Sequence, residues 1–210
     1  MLEKIIRSDD DLQEGLSYLA QHDQKLSQAI NNQTRISLAR RSAGFPALLK
    51  TIVSQQLSTA AASKIWQRII DRNLQDQRRI STVTDEALLS LGLSRQKCSY
   101  VRALTSENLD YDSLDSMDSD QVIGRLIEIK GIGKWTAQIY CMFSLARANI
   151  FPSGDLALQE SIRILFELDE RPTAKEVEDQ SNHWAPWKSV AALVLWDFYR
   201  RERKREGVLW

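Results

Sequence analysis

Residues Lys130-Gly131-Ile132-Gly133-Lys134 lie between two apolar, helix-like stretches, Leu126-Ile127-Glu128-Ile129 and Trp135-Thr136-Ala137. Phe151-Pro152-Ser153-Gly154-Asp155 follows one helix later. Glycine at 131 and 133 lets the chain reverse tightly at positive φ and turn its amides outward. Those amides, with the free N–H groups and positive dipole end of a helix starting near Lys134, form a compact anion site flanked by two lysines. Phosphate suits such a donor set, and contacts to phosphates carry no base information. A glycine at 131 also has a purely structural use as the left-handed cap that ends a helix. The flanking lysines and the downstream carboxylate favour the anion site. Asp155 itself precedes Leu156-Ala157-Leu158 and suits a helix N-cap, where amide donors stabilise its negative charge.

The elements that position these groups read as helices nearly throughout. Apolar residues recur three and four apart at Leu12, Leu16, Leu19, at Leu48, Leu49, Ile52, Val53, and at Ile65, Ile69, Ile70, while strand-like alternation is sparse. Ser58, Thr84 and Ser94 are cap candidates. Asp118-x-x-Gln121 and Thr173-x-x-Glu176 read as capping boxes, and Pro186 suits a first helical turn. The resulting expectation is helices over 9–20, 24–31, 45–56, 59–73, 84–91, 95–108, 119–129, 134–147, 155–167, 174–181 and 186–204.

Composition narrows the function classes. The 210 residues, 43% of them hydrophobic, can bury a proper core. Cys98 and Cys141 are isolated, so a disulfide framework and a four-cysteine iron–sulfur cluster are not expected. His22 and His183 stand apart from cysteines and from each other, which argues against a side-chain metal site. No apolar run approaches a membrane span, and Met1-Leu2-Glu3-Lys4 lacks a signal-peptide pattern, so a cytosolic protein is expected. With 28 basic and 28 acidic residues the net charge is zero, so any phosphate-binding face is local. Candidates for it are Arg40, Arg41, Lys64, Arg95, Lys97, Arg102, Lys130 and Lys134. The run Arg200-Arg201-Glu202-Arg203-Lys204-Arg205 reads as a solvated last helical turn, and Asp9-Asp10-Asp11 as an acidic run near the start.

Four stretches in a fixed order, Ile52-Val53-Ser54-Gln55-Gln56-Leu57-Ser58, Ile129 to Ala137, Phe151 to Asp155, and Trp184-Ala185-Pro186-Trp187-Lys188-Ser189 with Trp196, resemble the helix-hairpin-helix (HhH-GPD) DNA glycosylases. Within them the chain is most similar to the alkyladenine, or 3-methyladenine glycosylase II, branch. The resemblance implies an all-α fold of two helical lobes with a central cleft. One lobe comprises 1–42 and 148–210 and carries the catalytic Asp; the other comprises 43–147, with the helix-hairpin-helix at about 119–147. No extra N-terminal β-domain is expected.

The resemblance also implies an activity: a monofunctional glycosylase that flips alkylated bases of the 3-methyladenine type out of double-stranded DNA and hydrolyses the N-glycosyl bond. Positive charge builds on the sugar as that bond breaks, and Asp155 is the group expected to stabilise it and to orient water. A cationic alkylpurine leaves as a neutral base and needs little acid help. An aromatic pocket would favour it, with Trp135, Ile139, Tyr140 and Trp196 as the expected lining. Trp66, Trp184 and Trp187 read as packing residues, and Trp210 is uninformative. The lyase branch of the superfamily carries a Schiff-base lysine where this chain has Trp135, so no strand cleavage is expected.

Backbone contacts are expected from Lys130, Gly131, Ile132, Gly133, Lys134, Thr136 and Ser58. The wedge that fills the gap in the duplex is expected from Gln55, Gln56 and Leu57, foremost Gln56. The family adds the expectation of a monovalent cation on hairpin carbonyls, with no other cofactor. The protein is expected to be a monomer, cytoplasmic and nucleoid-associated if bacterial and nuclear if eukaryotic. Three other readings stay open: a glycosylase for a mismatched, deaminated or oxidised base, a non-catalytic helical DNA-binding module, and a protein-interaction scaffold.

Overall fold

The computed structural model describes residues 3–31, 36–107 and 109–203, with side chains through residue 202. Met1, Leu2, Lys204, Arg205 and Trp210, all named above, and position 108, the expected end of a helix, lie outside the described residues. The described fold is all-α. Its helices are α1 (Asp9–His22), α2 (Gln24–Asn31), α3 (Phe45–Ser54), α4 (Thr59–Asp71), α5 (Gln77–Ser81), α6 (Asp85–Ser90) and α7 (Arg95–Ser106), then α8 (Tyr111–Ser116), α9 (Ser119–Ile127), α10 (Lys134–Phe143), α11 (Leu156–Leu165), α12 (Ala174–Ser181) and α13 (Lys188–Arg203). A 3-10 turn occupies Asn182–Trp184. Strands are absent among the described residues; one isolated antiparallel bridge joins Ile5 and Arg147.

Helix starts follow local chemistry. Ser58, Thr84 and Ser94 each accept a hydrogen bond from the third residue of the helix they precede, and Asp118/Gln121 and Thr173/Glu176 form complete capping boxes. Ser8 and Asp11 form a third box at the start of α1, so the acidic run serves as a helix start. Pro186 differs from expectation. It lies before α13, after a cis Ala185–Pro186 bond, and the turn there closes through Trp187 N–H to the Trp184 carbonyl at 2.8 Å.

The described chain divides into two compact units. One runs up to Arg40 and resumes at Cys141; the other is Arg41–Tyr140. The second border falls inside α10, ahead of the expected 147/148. The reason is local: α10 ends at Phe143, Ala146 adopts φ +53, and Arg147 N–H turns back to the Cys141 carbonyl at 3.0 Å. Ile6 N–H then reaches the Ala146 carbonyl at 2.8 Å, and Ala148 N–H reaches that of Lys4 at 2.9 Å, tying this stretch to the N-terminal segment.

In the unit made of both chain segments, α13 is the central element, packed against α1, α2 and α11. Val190 to Trp196 are all buried, as an apolar helix enclosed by others requires. Gly15 permits the approach of α1: a Cβ there would stand 2.7 Å from the Trp187 ring and 2.8 Å from Val190. Trp184 and Trp187 are fully buried, and Trp184 Nε1 donates to Asp23 at 2.8 Å. In the middle unit α7 packs against α3, α5 and α6. Trp66 on α4 is half-buried, with the Lys50 ammonium 5.8 Å from its ring centre.

Candidate active site and phosphate-binding hairpin

Asp155 is the N-cap of α11. Its Oδ1 accepts hydrogen bonds from Ala157 N–H at 2.9 Å, Leu158 N–H at 3.1 Å and the Trp196 indole N–H at 3.2 Å. Three donors on one oxygen fix the plane of the carboxylate, and only 7% of the residue is exposed. The approach to it is also pinned. Asp155 N–H closes a turn onto the Pro152 carbonyl at 2.9 Å, and the Gln159 amide donates to the Ser153 carbonyl at 2.9 Å. Ser189 anchors the strap behind that turn: its hydroxyl lies 2.6 Å from the Arg147 carbonyl and 3.0 Å from that of Ile150, whose N–H returns to it at 3.2 Å. Such a carboxylate can stabilise a nearby cationic centre without reorganising first.

Trp196 is almost wholly buried, its ring stacked on Phe143 with centroids 6.0 Å apart. Expected to line a base pocket, it is bonded to the carboxylate and acts on Asp155 directly. Ile139 and Tyr140 are buried on α10, and the Tyr140 hydroxyl accepts from Gly44 N–H at 2.9 Å. Trp135, in the first turn of α10, is half-buried.

The hairpin belongs to the middle unit. α9 closes at Glu128, Ile129 N–H bonds the Leu126 carbonyl at 3.1 Å, Ile132 N–H bonds that of Ile129 at 3.0 Å, and Ala137 N–H starts α10 on the Gly133 carbonyl at 3.0 Å. Lys130, Gly133 and Lys134 are exposed. The two glycines differ. Gly131 has φ +93 and a Cβ on it would meet the Tyr100 ring at 2.2 Å, whereas Gly133 is not at positive φ and a Cβ there would meet nothing within 4 Å. Gly131 therefore serves the turn and Gly133 leaves open space where an anion can approach α10. Thr136 is only 3% exposed and Ile132 is buried, so their side chains do not reach a strand; what they can offer is backbone.

At the α3–α4 corner the Gln55 amide donates to the Gly131 carbonyl at 2.9 Å, which takes Gln55 out of the candidates for entering a duplex. Gln56 is exposed at φ +55, Leu57 is 38% exposed, and Ser58 caps α4. The carbonyls of Ile129, Gly131 and Gly133 each accept an N–H, so a cation at the hairpin would share these oxygens with them. Among the described residues no group of three or more His, Cys, Asp or Glu is placed to hold a metal ion.

Two basic residues named for a phosphate face are engaged elsewhere. Lys97 is 9% exposed, with its ammonium on the Val53 carbonyl at 2.6 Å, and burial pushes it below the usual lysine range. Arg102 bonds Asp85 and the carbonyls of Ile80, Ser81 and Val83 between α5 and α6. Arg40, Lys64 and Arg95 are exposed, and Arg41 is half-buried. Neither pairing of Lys97 or Arg102 was readable from spacing, since both partners lie far off in sequence.

The family profile of the HhH-GPD superfamily base excision DNA repair proteins matches residues 49–186, from within α3 to just before α13. This chain belongs to that superfamily. Among similar proteins, YfjP of Bacillus subtilis is 30% identical over 165 residues, covering 72% of this chain and 58% of its own length, so the chain spans under two thirds of that relative. DNA-3-methyladenine glycosylase 1 of Schizosaccharomyces pombe is 27% identical over 203 residues, covering 92% of this chain and 89% of its own. The crystal structure of a DNA-3-methyladenine glycosidase from Bacillus halodurans superposes with a TM-score of 0.79 at 32% identity, covering 98% of this chain and 95% of that one. That likeness extends over nearly the whole chain.

Proposed function

We propose that this protein is a monofunctional DNA glycosylase that takes an alkylated base of the 3-methyladenine type out of double-stranded DNA and hydrolyses its N-glycosyl bond, acting as a monomer in base excision repair. The observation that carries this reading is Asp155, a buried carboxylate whose Oδ1 is held by two amides and an indole N–H. Its negative charge stabilises the cationic sugar as the C1′–N bond breaks, with the bonding pair leaving on the base. Water supplies the new C1′–O bond and its proton passes through the carboxylate to solvent. A base alkylated on a ring nitrogen departs neutral, so the leaving step needs no strong acid. The relatives named above as 3-methyladenine glycosylases support this substrate class.

Strand grip comes from the exposed Gly133 corner, Lys130 and Lys134 at the start of α10, and is independent of sequence. Trp135 occupies the position at which the lyase branch carries its lysine, so the product is an intact strand with an abasic site.

The test is mass-spectrometric identification of bases released from methylated duplex DNA by wild type and Asp155→Asn. The variant keeps an oxygen that can cap α11, so it folds and binds DNA, while release falls by at least ~10²-fold. Borohydride treatment during turnover traps no protein–DNA adduct. Undiminished release by Asp155→Asn would refute the catalytic assignment, and release of only oxidised or mismatched bases would refute the substrate class.

A further inference from the structure

Extruding a nucleotide requires two parts of one protein to act on the same strand, a corner that presses into the duplex and a grip that holds the backbone. If the spacing between them can relax, the pressure deforms the protein instead of the stack. In the middle unit both parts rest on α7. Lys97 and Tyr100, three residues apart, share one face of that helix. The Lys97 ammonium donates to the Val53 carbonyl at 2.6 Å, in the last turn of α3 where helix carbonyls lack their own donors. The Tyr100 ring lies against Gly131, so close that a Cβ would meet it at 2.2 Å, and its hydroxyl accepts from Gln96 at 2.5 Å. The third side is closed by the Gln55 amide on the Gly131 carbonyl at 2.9 Å. Between these links Gln56 holds φ +55, a conformation that side chains other than glycine adopt at a cost. Burying an ammonium is expensive, and an apolar side chain would pack α7 against α3 without that expense. The charge is explained by what it does at the end of α3.

We propose that Lys97 is a positioning residue that sets the spacing between the Gln56–Leu57 corner and the 128–133 hairpin, so that pressure of the corner on a duplex expels a nucleotide. This rests on the glycosylase reading, and its test has a readout that needs no catalysis. The probe is a duplex with 2-aminopurine beside a tetrahydrofuran abasic-site analogue, whose fluorescence rises when the corner unstacks the neighbouring base. Wild type raises the signal on binding. Lys97→Met and Gln55→Leu bind with affinity within about two-fold of wild type but lose most of the rise, and Lys97→Arg restores part of it. Gln55 is half-buried at a loop, so its variant remains informative should Lys97→Met fail to fold.

The second arm is single-turnover release of N7-methylguanine, paired with cytosine or left unpaired in a one-nucleotide bulge. Lys97→Met slows release from the pair by about ten-fold and from the bulge by less than about two-fold, as loss of one charge-assisted hydrogen bond would. A merely structural role would slow both alike, and that result overturns the proposal. So does an unchanged fluorescence rise in Lys97→Met and Gln55→Leu, or no rise with wild type. Wild type that raises the signal but releases no base overturns the glycosylase reading and leaves Lys97 its role.

Discussion

The Trp196 indole N–H donates at 3.2 Å to the same Asp155 oxygen that caps α11, so the first-turn amides of the helix and the indole converge on one atom. Trp196→Phe keeps a ring beside Phe143 and removes only this donor and part of the packing volume. Base release should fall about ten-fold with duplex affinity retained, the size expected for one hydrogen bond to a charged group. Single-turnover kinetics against a binding titration checks this. An equal loss in affinity and turnover would place Trp196 in DNA contact instead.

The two hairpin glycines should respond differently to substitution. Gly131→Val drives a side chain into the Tyr100 ring at positive φ, and a loss of at least ~2 kcal/mol in urea unfolding is expected. Gly133→Ala meets open space and costs at most ~1 kcal/mol as a helix-start change. Its methyl group stands where phosphate approaches α10, so duplex affinity drops to a similar degree on unrelated sequences.

Lys130 is exposed beside the hairpin, and its contribution should be electrostatic. Lys130→Ala should reduce the slope of log affinity against log salt by about 1 and leave the melting temperature unchanged. A slope identical to wild type would remove Lys130 from the strand grip.

The Tyr111 hydroxyl is buried without a hydrogen-bond partner, and burial, reinforced by Tyr140, pushes its phenol well above the usual tyrosine range. Tyr111→Phe should therefore be neutral or stabilising by ~1 kcal/mol at pH 7. The native pKa lies above the unfolded value of about 10, so this group's contribution is complete below pH 10 and declines as pH rises beyond it. The phenylalanine variant lacks that decline, and its advantage in urea midpoint should widen between pH 9 and about pH 11.

Much of the fold was legible because helix starts are written locally. Ser58, Thr84, Ser94, Asp118 and Thr173 each cap the helix they precede, and α2 and α12 have the expected bounds. The short helices α5 and α8 were not foreseen, since five or six residues carry too little apolar period, although Asp76 and Asp110 cap them. The box at Ser8 and Asp11 was hidden inside a run of three acidic residues. Its backbone donors hold Asp11 below the usual carboxylate range.

By itself the sequence determined the helical class, the hairpin, and Asp155 as the carboxylate at a helix start, because caps, turns and periodicity are interactions between residues a few positions apart. Only the tertiary structure decided that Gly131 is packed and Gly133 open, that Lys97 is buried on Val53, that Gln55 bonds the hairpin, and that Trp196 bonds Asp155. Each of these joins residues dozens of positions apart or depends on what surrounds them. A lysine in a polar stretch reads the same whether it ends in water or on a distant carbonyl, and packing alone separates the two.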